Sequence, residues 1–405
     1  MPGALSGLRV FDMSRVLAGP SCAQILGDLG ADVIKVERPG EGDDTRKWGP
    51  PYLKDAAGRD TGESAYYLST NRSKRSITLD FTKHKGRDLA CRLIARSDVL
   101  IENYKVGTLA RYGLGYAELH KEYPRLVYCS ITGFGQTGPY AARAGYDYLI
   151  QAMGGIMSVT GEPEREPMKV AVAVADLMTG SYSTIAILAA LRHREATGQG
   201  QHIDMALLDT QVAWLANLGQ SYLTSGEVPP RLGNAHAAVV PYQVFKTADG
   251  HIVLAIGNDG QYRRFCEFAG VPGLADDPRF ATNSARIVNR AALVPEIAAI
   301  VARHPSAYWI AELEPLGVPC GPINTLDQVF ADPQVKARGM TVDLPHPAAG
   351  GKPTRLIASP IKLSETPVEY RRAPPRLGEH TEEVLQELLG LGESEVRALR
   401  ERGIV

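Results

Sequence analysis

The chain has 405 residues, a formal net charge of −1, 44% hydrophobic residues and 22% charged residues. This composition is typical of a folded globular protein and excludes a disordered or fibrous chain. Lysine and arginine residues are scattered without long blocks, so we predict no nucleic-acid partner. The length predicts two domains, or one large domain that carries an insertion.

The cysteines and the first residues indicate where the protein resides. The five cysteines are widely separated and form no C-x-x-C pair, which argues against a zinc site and against a disulfide framework. Residues 1–15 lack a basic segment followed by an apolar one, and no apolar run approaches the length needed to cross a bilayer. We therefore predict no metal, no membrane association and a cytoplasmic location, or an organelle matrix if a presequence was removed.

The first part of the chain alternates predicted strands with predicted helices. Such alternation predicts an α/β fold with a parallel sheet. The predicted strands are residues 8–12, 32–37, 76–80, 99–102 and 126–131, and the predicted helices are residues 21–29, 85–96 and 107–111.

Asp176 follows an alternating apolar run, residues 169–175, and precedes a helical pattern over residues 177–194. The run predicts a strand, which places this carboxylate at a strand-to-helix corner. There the free N–H groups of the helix are expected to keep it ionised, even where apolar walls exclude water. An ionised carboxylate sheltered from water can act as a nucleophile, although aspartate is also a preferred helix cap.

The remaining chain predicts a smaller domain and a return to the first one. A strand at residues 202–206 and a long helix at 207–223 lead to Pro229 and Pro230, which mark a boundary. A hairpin at residues 242–246 and 251–256 opens a smaller α/β domain. Residues 317–322 are too interrupted by glycine and proline to form a helix or a strand. Strands at residues 340–344 and 355–358 and two short helices follow. The predicted division is residues 1–225, 226–330 and 331–405.

Several polar residues fall at predicted strand ends, where parallel sheets bind their ligands. They are Arg38, Asn103, Tyr104 and Asp176, and each alone is also compatible with a surface or turn position. No G-x-G-x-x-G, G-x-S-x-G or P-loop pattern occurs, so nicotinamide binding, lipase-type hydrolysis and phosphoryl transfer lack their residues. His236 lies on a loop of small residues and is either a ligand contact or structural.

Segments along nearly the whole chain resemble the family III coenzyme A transferases, the group of the formyl-CoA:oxalate and carnitine CoA-transferases. The matching segments are residues 5–10, 17–20, 30–38, 71–76, 102–104, 175–177, 317–322 and 377–381. Residues 42–46, 128–133, 234–236 and 240–243 look most like the glutarate CoA-transferase branch, which uses succinyl-CoA.

The resemblance implies a fold and a set of site residues. The fold would be a large Rossmann-like domain built from both chain ends, with a small inserted domain, in an interlocked homodimer. Asp176 would be the nucleophile, and coenzyme A would be a substrate, with no tightly bound cofactor. The implied CoA-binding residues are Leu17, Ala18, Arg38, Leu79, Thr82, Asn103, Tyr104, Lys105, Arg111, Ala144, Tyr146 and Asp147.

The implied reaction moves coenzyme A from an acyl-CoA, expected to be succinyl-CoA, to a dicarboxylic acid such as glutarate. Asp176 would pass through an anhydride and an aspartyl-CoA thioester. Arg46 and His236 are the candidates for binding the distal carboxylate. Leu17 stands where the formyl-CoA enzyme has glutamine, which disfavours oxalate, and Tyr146 stands where the related racemases have a catalytic histidine. An acyl-CoA racemase or isomerase remains an alternative, as do a nicotinamide oxidoreductase and a non-catalytic CoA-binding protein.

Overall fold

The structure, a computed structural model, describes residues 3–405. Its strands are β1 Arg9–Asp12, β2 Asp32–Glu37, β3 Tyr52–Lys54, β4 Asp60–Ser64, β5 Lys74–Thr78, β6 Val99–Glu102, β7 Val127–Thr132, β8 His202–Ala206, β9 Tyr242–Lys246, β10 His251–Ala255, β11 Cys320–Pro322, β12 Thr341–Pro345 and β13 Pro353–Ile357.

The first nine helices are α1 Ala18–Asp28, α2 Ala65–Ser69, α3 His84–Ile94, α4 Tyr116–Glu122, α5 Asp147–Met153, α6 Ile156–Val159, α7 Val174–Thr197, α8 Leu207–Ala213 and α9 Ala216–Ser225. The next nine are α10 Asp259–Phe268, α11 Pro272–Asp276, α12 Asn283–Val288, α13 Arg290–Val301, α14 Ser306–Leu313, α15 Leu326–Ala331, α16 Pro333–Ala337, α17 Thr381–Leu389 and α18 Glu393–Glu401. Short 3₁₀ turns occupy Asp44–Lys47, Ala110–Tyr112 and Pro347–Ala349.

The main sheet has six parallel strands in the order β5-β2-β1-β6-β7-β8. This confirms the predicted α/β class with a parallel sheet. From β1 the chain builds outward on one side through β2 and β5, and on the other side through β6, β7 and β8. The direction of winding therefore reverses between β1 and β6, and at such a point a ligand crevice opens at the carboxyl ends of the strands.

Apolar residues of the main sheet alternate between two layers, one on each face. Phe11 and Ile34 face a layer that includes residues of α3, α17 and α18. Val10 and Val33 face the other layer, which includes residues of α1 and α7. Because both faces are covered, the strands read as nearly continuous apolar runs, and this explains why their positions could be predicted from the sequence.

The chain divides into two compact units. The first contains residues up to 156 together with residues 170–223 and 336–405, and the second contains residues 157–169 and 224–335. The second unit has an antiparallel sheet in the order β11-β10-β9, and its own apolar core includes Phe265 and Trp309. It extends beyond the predicted residues 226–330 and also takes in residues 157–169.

The strand predicted at residues 169–175 is wrong, because α7 already begins at Val174. Side chains of α5 satisfy the backbone of this segment instead of a neighbouring strand. The Gln151 side-chain carbonyl accepts the N–H of Val170 at 2.8 Å, and the Asp147 carboxylate accepts the N–H of Ala175 at 2.9 Å. Asp176 is therefore the third residue of a helix rather than the residue that ends a strand.

Three smaller predictions also differ from the structure. The helix predicted at residues 207–223 is two helices, α8 and α9, because Ala216 has a φ of +44°, outside the helical range. The helix predicted at residues 107–111 is reduced to the 3₁₀ turn Ala110–Tyr112. The segment at 317–322, predicted to be irregular, contains β11, which pairs with β10.

Helix α7 is long and apolar enough, by length and composition, to cross a membrane, and 56% of its most apolar 18-residue window is buried. The expectation that no run approaches this length was wrong. The helix packs against α1 and contributes Ala175 and Ile187 to one apolar layer of the main sheet. Length and apolar character are therefore also what this position in the fold requires.

Candidate active site

A cavity of about 140 Å³ lies where the main sheet changes winding direction, beyond the carboxyl ends of β1 and β6. The turn after β1, the turn after β6, the segment before α5 and the start of α7 all contribute to its wall. The predicted site residues that line it are Leu17, Ala18, Asn103, Tyr104, Lys105, Ala144, Tyr146 and Asp176.

The Asp176 carboxylate lies in this cavity, half-buried. Within residues 3–405 no hydrogen bond or ion pair to its side chain occurs. Burial raises the pKa of Asp176 to about 7, and the nearby negative charge of Asp147 adds to the increase. The prediction that the helix start keeps this group ionised is therefore wrong near neutral pH, because burial and the charge of Asp147 raise its pKa. Near neutral pH the group exists in both protonation states.

Asp147, the first residue of α5, holds the start of α7 through a hydrogen bond. One oxygen of its carboxylate accepts the N–H of Ala175 at 2.9 Å, and the other accepts the side-chain N–H of Gln151 at 2.8 Å. The residue does not line the cavity. Its contribution is therefore to position Asp176 and to raise the pKa of that carboxyl group.

The turn after β1 is held by a buried ion pair. The Asp43 carboxylate lies 2.8 Å from the Lys35 ammonium group, and both side chains are fully buried. Burial alone would raise the pKa of Asp43, but Lys35 lowers it to about 2. The ionised carboxylate accepts the N–H of Val16, whose φ of +70° is unusual for a branched side chain. This bond fixes the backbone that presents Leu17 to the cavity.

The turn after β6 is tied to the turn after β1 and to a buried acid. The Asn103 side chain accepts the N–H of Arg15 at 2.9 Å and donates to the Arg15 carbonyl at 2.7 Å. The Glu102 carboxylate accepts the N–H of Tyr104 at 2.8 Å. Burial raises the pKa of Glu102 to about 7. These bonds set the backbone that carries Tyr104 and Lys105.

A second cavity, of about 330 Å³, shares the lining residues Arg15 and Tyr104 with the first. It contains the predicted CoA-binding residues Arg38, Leu79 and Thr82. The two cavities together therefore hold ten of the predicted CoA-binding residues and Asp176. Two cavities that share wall residues in this way suit an elongated ligand that reaches Asp176 at one end.

Arg111 lies outside both cavities. Its side chain is exposed and donates a long hydrogen bond of 3.4 Å to the Thr108 hydroxyl. Nothing in the structure places this residue with the other predicted CoA-binding residues.

Arg46 is buried in an ion-pair network, so the prediction that it binds the substrate was wrong. Its guanidinium group is bound by the carboxylates of Glu37 and Glu63, by the Tyr67 hydroxyl and by the Pro375 carbonyl, and its side chain is 8% exposed. All three side-chain nitrogens of Arg46 donate to protein acceptors, and Arg46 lines neither cavity, so it is not placed to bind a substrate.

His236 lies in the second unit, where its ring packs 5.2 Å from that of Tyr242 and its Nδ1 accepts the N–H of Ala238 at 3.0 Å. These contacts shape the loop of residues 236–242. A role of His236 in substrate binding stays a prediction.

Three residues of the site were missed in the sequence. Arg15 and Arg143 line the cavity of Asp176. Tyr66 is close enough that, after burial, the charge of Asp176 contributes to raising the tyrosine pKa to about 12. Arg15 could have been suspected from its place directly after β1, whereas nothing in the sequence distinguishes Arg143 and Tyr66 from other surface residues. In the described part of the chain, no group of three or more histidine, cysteine or acidic side chains could hold a metal ion.

Comparison with known proteins gives consistent matches over the full length. The family model described as CoA-transferase family III matches residues 5–381. A succinate–glutarate CoA-transferase of Agrobacterium fabrum is 53% identical over 384 residues, 95% of each chain. The human succinyl-CoA:glutarate CoA-transferase is 41% identical over 401 residues, 99% of this chain and 90% of the relative. The crystal structure of a CAIB/BAIF family protein from Brucella suis is 51% identical, has a TM-score of 0.84 and covers 96% of this chain and 100% of that one.

Proposed function

The chain belongs to CoA-transferase family III and is a CoA-transferase, and on that premise we propose that it moves coenzyme A from succinyl-CoA to a dicarboxylic acid such as glutarate. The names of the two relatives above support this donor and acceptor. The observation that carries the proposal is the position of the Asp176 carboxylate, which has no side-chain partner among residues 3–405 and lies in a cavity lined by several of the predicted CoA-binding residues.

In the proposed mechanism the ionised Asp176 attacks the thioester carbonyl of succinyl-CoA and gives a mixed anhydride and the CoA thiolate. The thiolate then attacks the aspartyl carbonyl, which releases succinate and leaves an aspartyl-CoA thioester. An acceptor carboxylate attacks this thioester to form a second anhydride and the thiolate. Attack of the thiolate on the acyl carbonyl releases the new acyl-CoA and restores Asp176.

Each step passes through an oxyanion that needs hydrogen-bond donors. The N–H of Ala175 is unavailable, because it donates to Asp147, and the N–H of Leu177 donates to the Ala173 carbonyl. We therefore assign this role to the start of α1, where Ala18 lines the cavity. Removal of one such donor typically costs about 3 kcal/mol of transition-state stabilisation.

The cations along the two cavities suit the charge of coenzyme A. Arg38 is exposed, forms only a surface ion pair with Glu41, and lines the second cavity. Lys105 lines the cavity of Asp176. In the proposal these residues bind CoA phosphates, which places the thioester near Asp176.

Incubation of the protein with succinyl-CoA and glutarate tests the proposal, with the CoA thioesters identified by mass spectrometry. Formation of glutaryl-CoA and succinate in equal amounts is expected. Accumulation of free CoA would indicate a hydrolase. Incorporation of deuterium from solvent into the acyl chain without transfer would indicate a racemase.

The proposal includes an interlocked homodimer. Helices α5, α7 and α8 pack against one another, and each exposes large apolar side chains. The most exposed in each helix are Tyr148 at 61%, Ile185 at 61% and Val212 at 53%. Apolar area of this kind on neighbouring elements is typical of a protein interface. A second copy of the chain is the partner that the family resemblance predicts.

A further inference from the structure

Arg143 is a cation in the cavity of Asp176 that has no acidic partner. It is exposed and lines this cavity, and within residues 3–405 it forms no ion pair. Arg15, another cation in the same wall, is paired with Asp44 at 2.9 Å. The charge of Arg143 is therefore available to a ligand.

Two aromatic rings hold the Arg143 guanidinium in place. Its central carbon lies 4.6 Å from the ring centre of Tyr140 and 5.1 Å from that of Phe134. Contact with aromatic faces orients a guanidinium group while leaving the N–H donors along its edge free. Within residues 3–405 these donors make a single polar contact, a weak one at 3.9 Å to the sulfur of Met153. The edge can therefore bind a carboxylate through two parallel hydrogen bonds.

The backbone near Arg143 is fixed relative to Asp176. Gly145 packs so closely against Gly133 that a methyl group on Gly145 would lie 2.5 Å from the Gly133 Cα atom. Asp147, four residues after Arg143, is hydrogen-bonded to the first turn of α7 at Ala175. The segment is therefore held on one side by the loop after β7 and on the other by the helix that carries Asp176.

Arg143 and Asp176 share a cavity without forming an ion pair with each other. A cation that does not neutralise the nucleophile can bind a second negative group, at the far end of a bound acyl chain. Unlike Arg15, Arg143 does not line the second cavity, where the predicted phosphate-binding residue Arg38 lies.

From these contacts we infer that Arg143 binds the distal carboxylate of a dicarboxylic acyl group while the other end reacts at Asp176. This inference rests on the proposed function. Arg143 replaces Arg46 as the residue that selects dicarboxylic over monocarboxylic acids, because Arg46 is buried, is paired with Glu37 and Glu63, and does not line the cavity of Asp176.

The test compares Arg143→Gln with wild type, using succinyl-CoA as donor and either glutarate or valerate as acceptor. The two acids have the same chain length, but valerate lacks the distal charge. The ratio of kcat/KM for glutarate to kcat/KM for valerate cancels any effect of the substitution on the donor. We expect this ratio to fall at least tenfold in the variant, mainly through a higher KM for glutarate. Arg192→Gln, at an exposed position of α7, is the matched control and should keep the wild-type ratio.

An unchanged ratio in a folded Arg143→Gln protein would overturn the inference, as would a wild-type enzyme that uses valerate as well as glutarate. A wild-type enzyme that forms no glutaryl-CoA would instead refute the proposed function. Arg143→Lys covers the case in which the glutamine variant does not fold. Lysine keeps the positive charge but cannot form the two parallel hydrogen bonds. The glutarate-to-valerate ratio of kcat/KM for Arg143→Lys should therefore be lower than in wild type but higher than in a variant without a charge at this position.

Discussion

The pKa of a single carboxyl group is expected to set the pH dependence of the reaction. Burial and Asp147 raise the pKa of Asp176 to about 7, and only the ionised form attacks a thioester. We therefore expect kcat/KM to rise roughly tenfold per pH unit below the pKa of Asp176 and to level off above it. Initial rates with succinyl-CoA and glutarate from pH 5.5 to 8.5 measure this. A flat profile over that range would show that the ionisation of Asp176 does not limit the reaction.

The nucleophile can be identified by trapping. An aspartyl-CoA thioester is reduced by borohydride to an alcohol, so wild type treated with succinyl-CoA and borohydride should carry this change in the peptide that contains Asp176. Asp176→Ala should show no modification and should lose at least about 10³-fold in kcat, as expected when a covalent nucleophile is removed. Asp209→Ala, at an exposed position of α8, should be modified and active like wild type. Full turnover in Asp176→Ala would refute the mechanism.

The contact between α1 and α7 connects helix packing to the site. A methyl group on Gly180 would lie 2.1 Å from the Ser21 hydroxyl and 2.7 Å from the Ala18 carbonyl oxygen. Gly180→Ala should therefore push the two helices apart. The expected loss in the free energy of unfolding is about 1–3 kcal/mol, with reduced activity because Ala18 and Asp176 both move. Urea denaturation and steady-state kinetics measure the two effects.

Gly273→Ala is the control for this substitution, because nothing lies within 4 Å of the added methyl group in α11. Its free energy of unfolding should stay within about 0.5 kcal/mol of the wild-type value. Equal stability of Gly180→Ala and wild type would mean that the two helices can separate at no cost.

The strands of the main sheet could be predicted from the sequence, whereas some connecting segments could not. Strands β2, β6 and β8 have the predicted bounds. Strands β2 and β6 are almost fully buried, as central parallel strands are, whereas β8 is an edge strand with an exposed Asp204. The alternation at residues 169–175 was misleading, because hydrogen bonds from Gln151 and Asp147 replace strand pairing there. Gln151 and Asp147 lie about twenty to thirty residues before their partners in the chain. The sequence pattern of residues 169–175 therefore cannot indicate these hydrogen bonds.

Some features of the candidate site could likewise be predicted from the sequence, and others could not. Asn103 and Tyr104, in the turn after β6, could be predicted because a parallel sheet brings its carboxyl ends together, whereas Leu17 and Ala18 after β1 were indicated only by the family resemblance. The protonation of Asp176 could not, since it depends on burial and on Asp147, 29 positions earlier in the chain. The function proposed for Arg143 could not be predicted for the same reason, as its aromatic contacts, and the absence of an acidic partner within residues 3–405, are visible only in the folded protein.

At the scale of the whole molecule, the first unit is built from both ends of the chain. Val384 of α17 and Val396 of α18 belong to the same apolar layer as Phe11 of β1. The Arg75 guanidinium of β5 also pairs with Glu383 and Glu387 of α17. The main sheet therefore cannot complete this layer until the last residues of the chain are available. This connectivity is compatible with the proposed interlocking, in which one chain must close around another during folding.

The proposed interlocking makes a prediction that an ordinary dimer does not share. The purified protein should have twice the chain mass of 43.7 kDa. When isotopically labelled and unlabelled proteins are mixed, native mass spectrometry should detect no mixed dimers until both have been unfolded and refolded together. Mixed dimers that form in native buffer would be compatible with a dimer but would show that its chains are not interlocked. A mass equal to that of one chain would show that the protein is not a dimer.

The face proposed to join two copies is tested by Ile185→Asp on α7, because Ile185 is 61% exposed between Tyr182 and Leu188 on the same side of that helix. Burying an unpaired carboxylate at an interface costs several kcal/mol, so we expect little soluble dimer and a larger fraction of single or aggregated chains. Val288→Asp introduces the same charge at an apolar position that is 84% exposed in the second unit and should leave the mass unchanged. Size-exclusion chromatography with light scattering distinguishes these results. A normal dimer of Ile185→Asp would place the interface elsewhere.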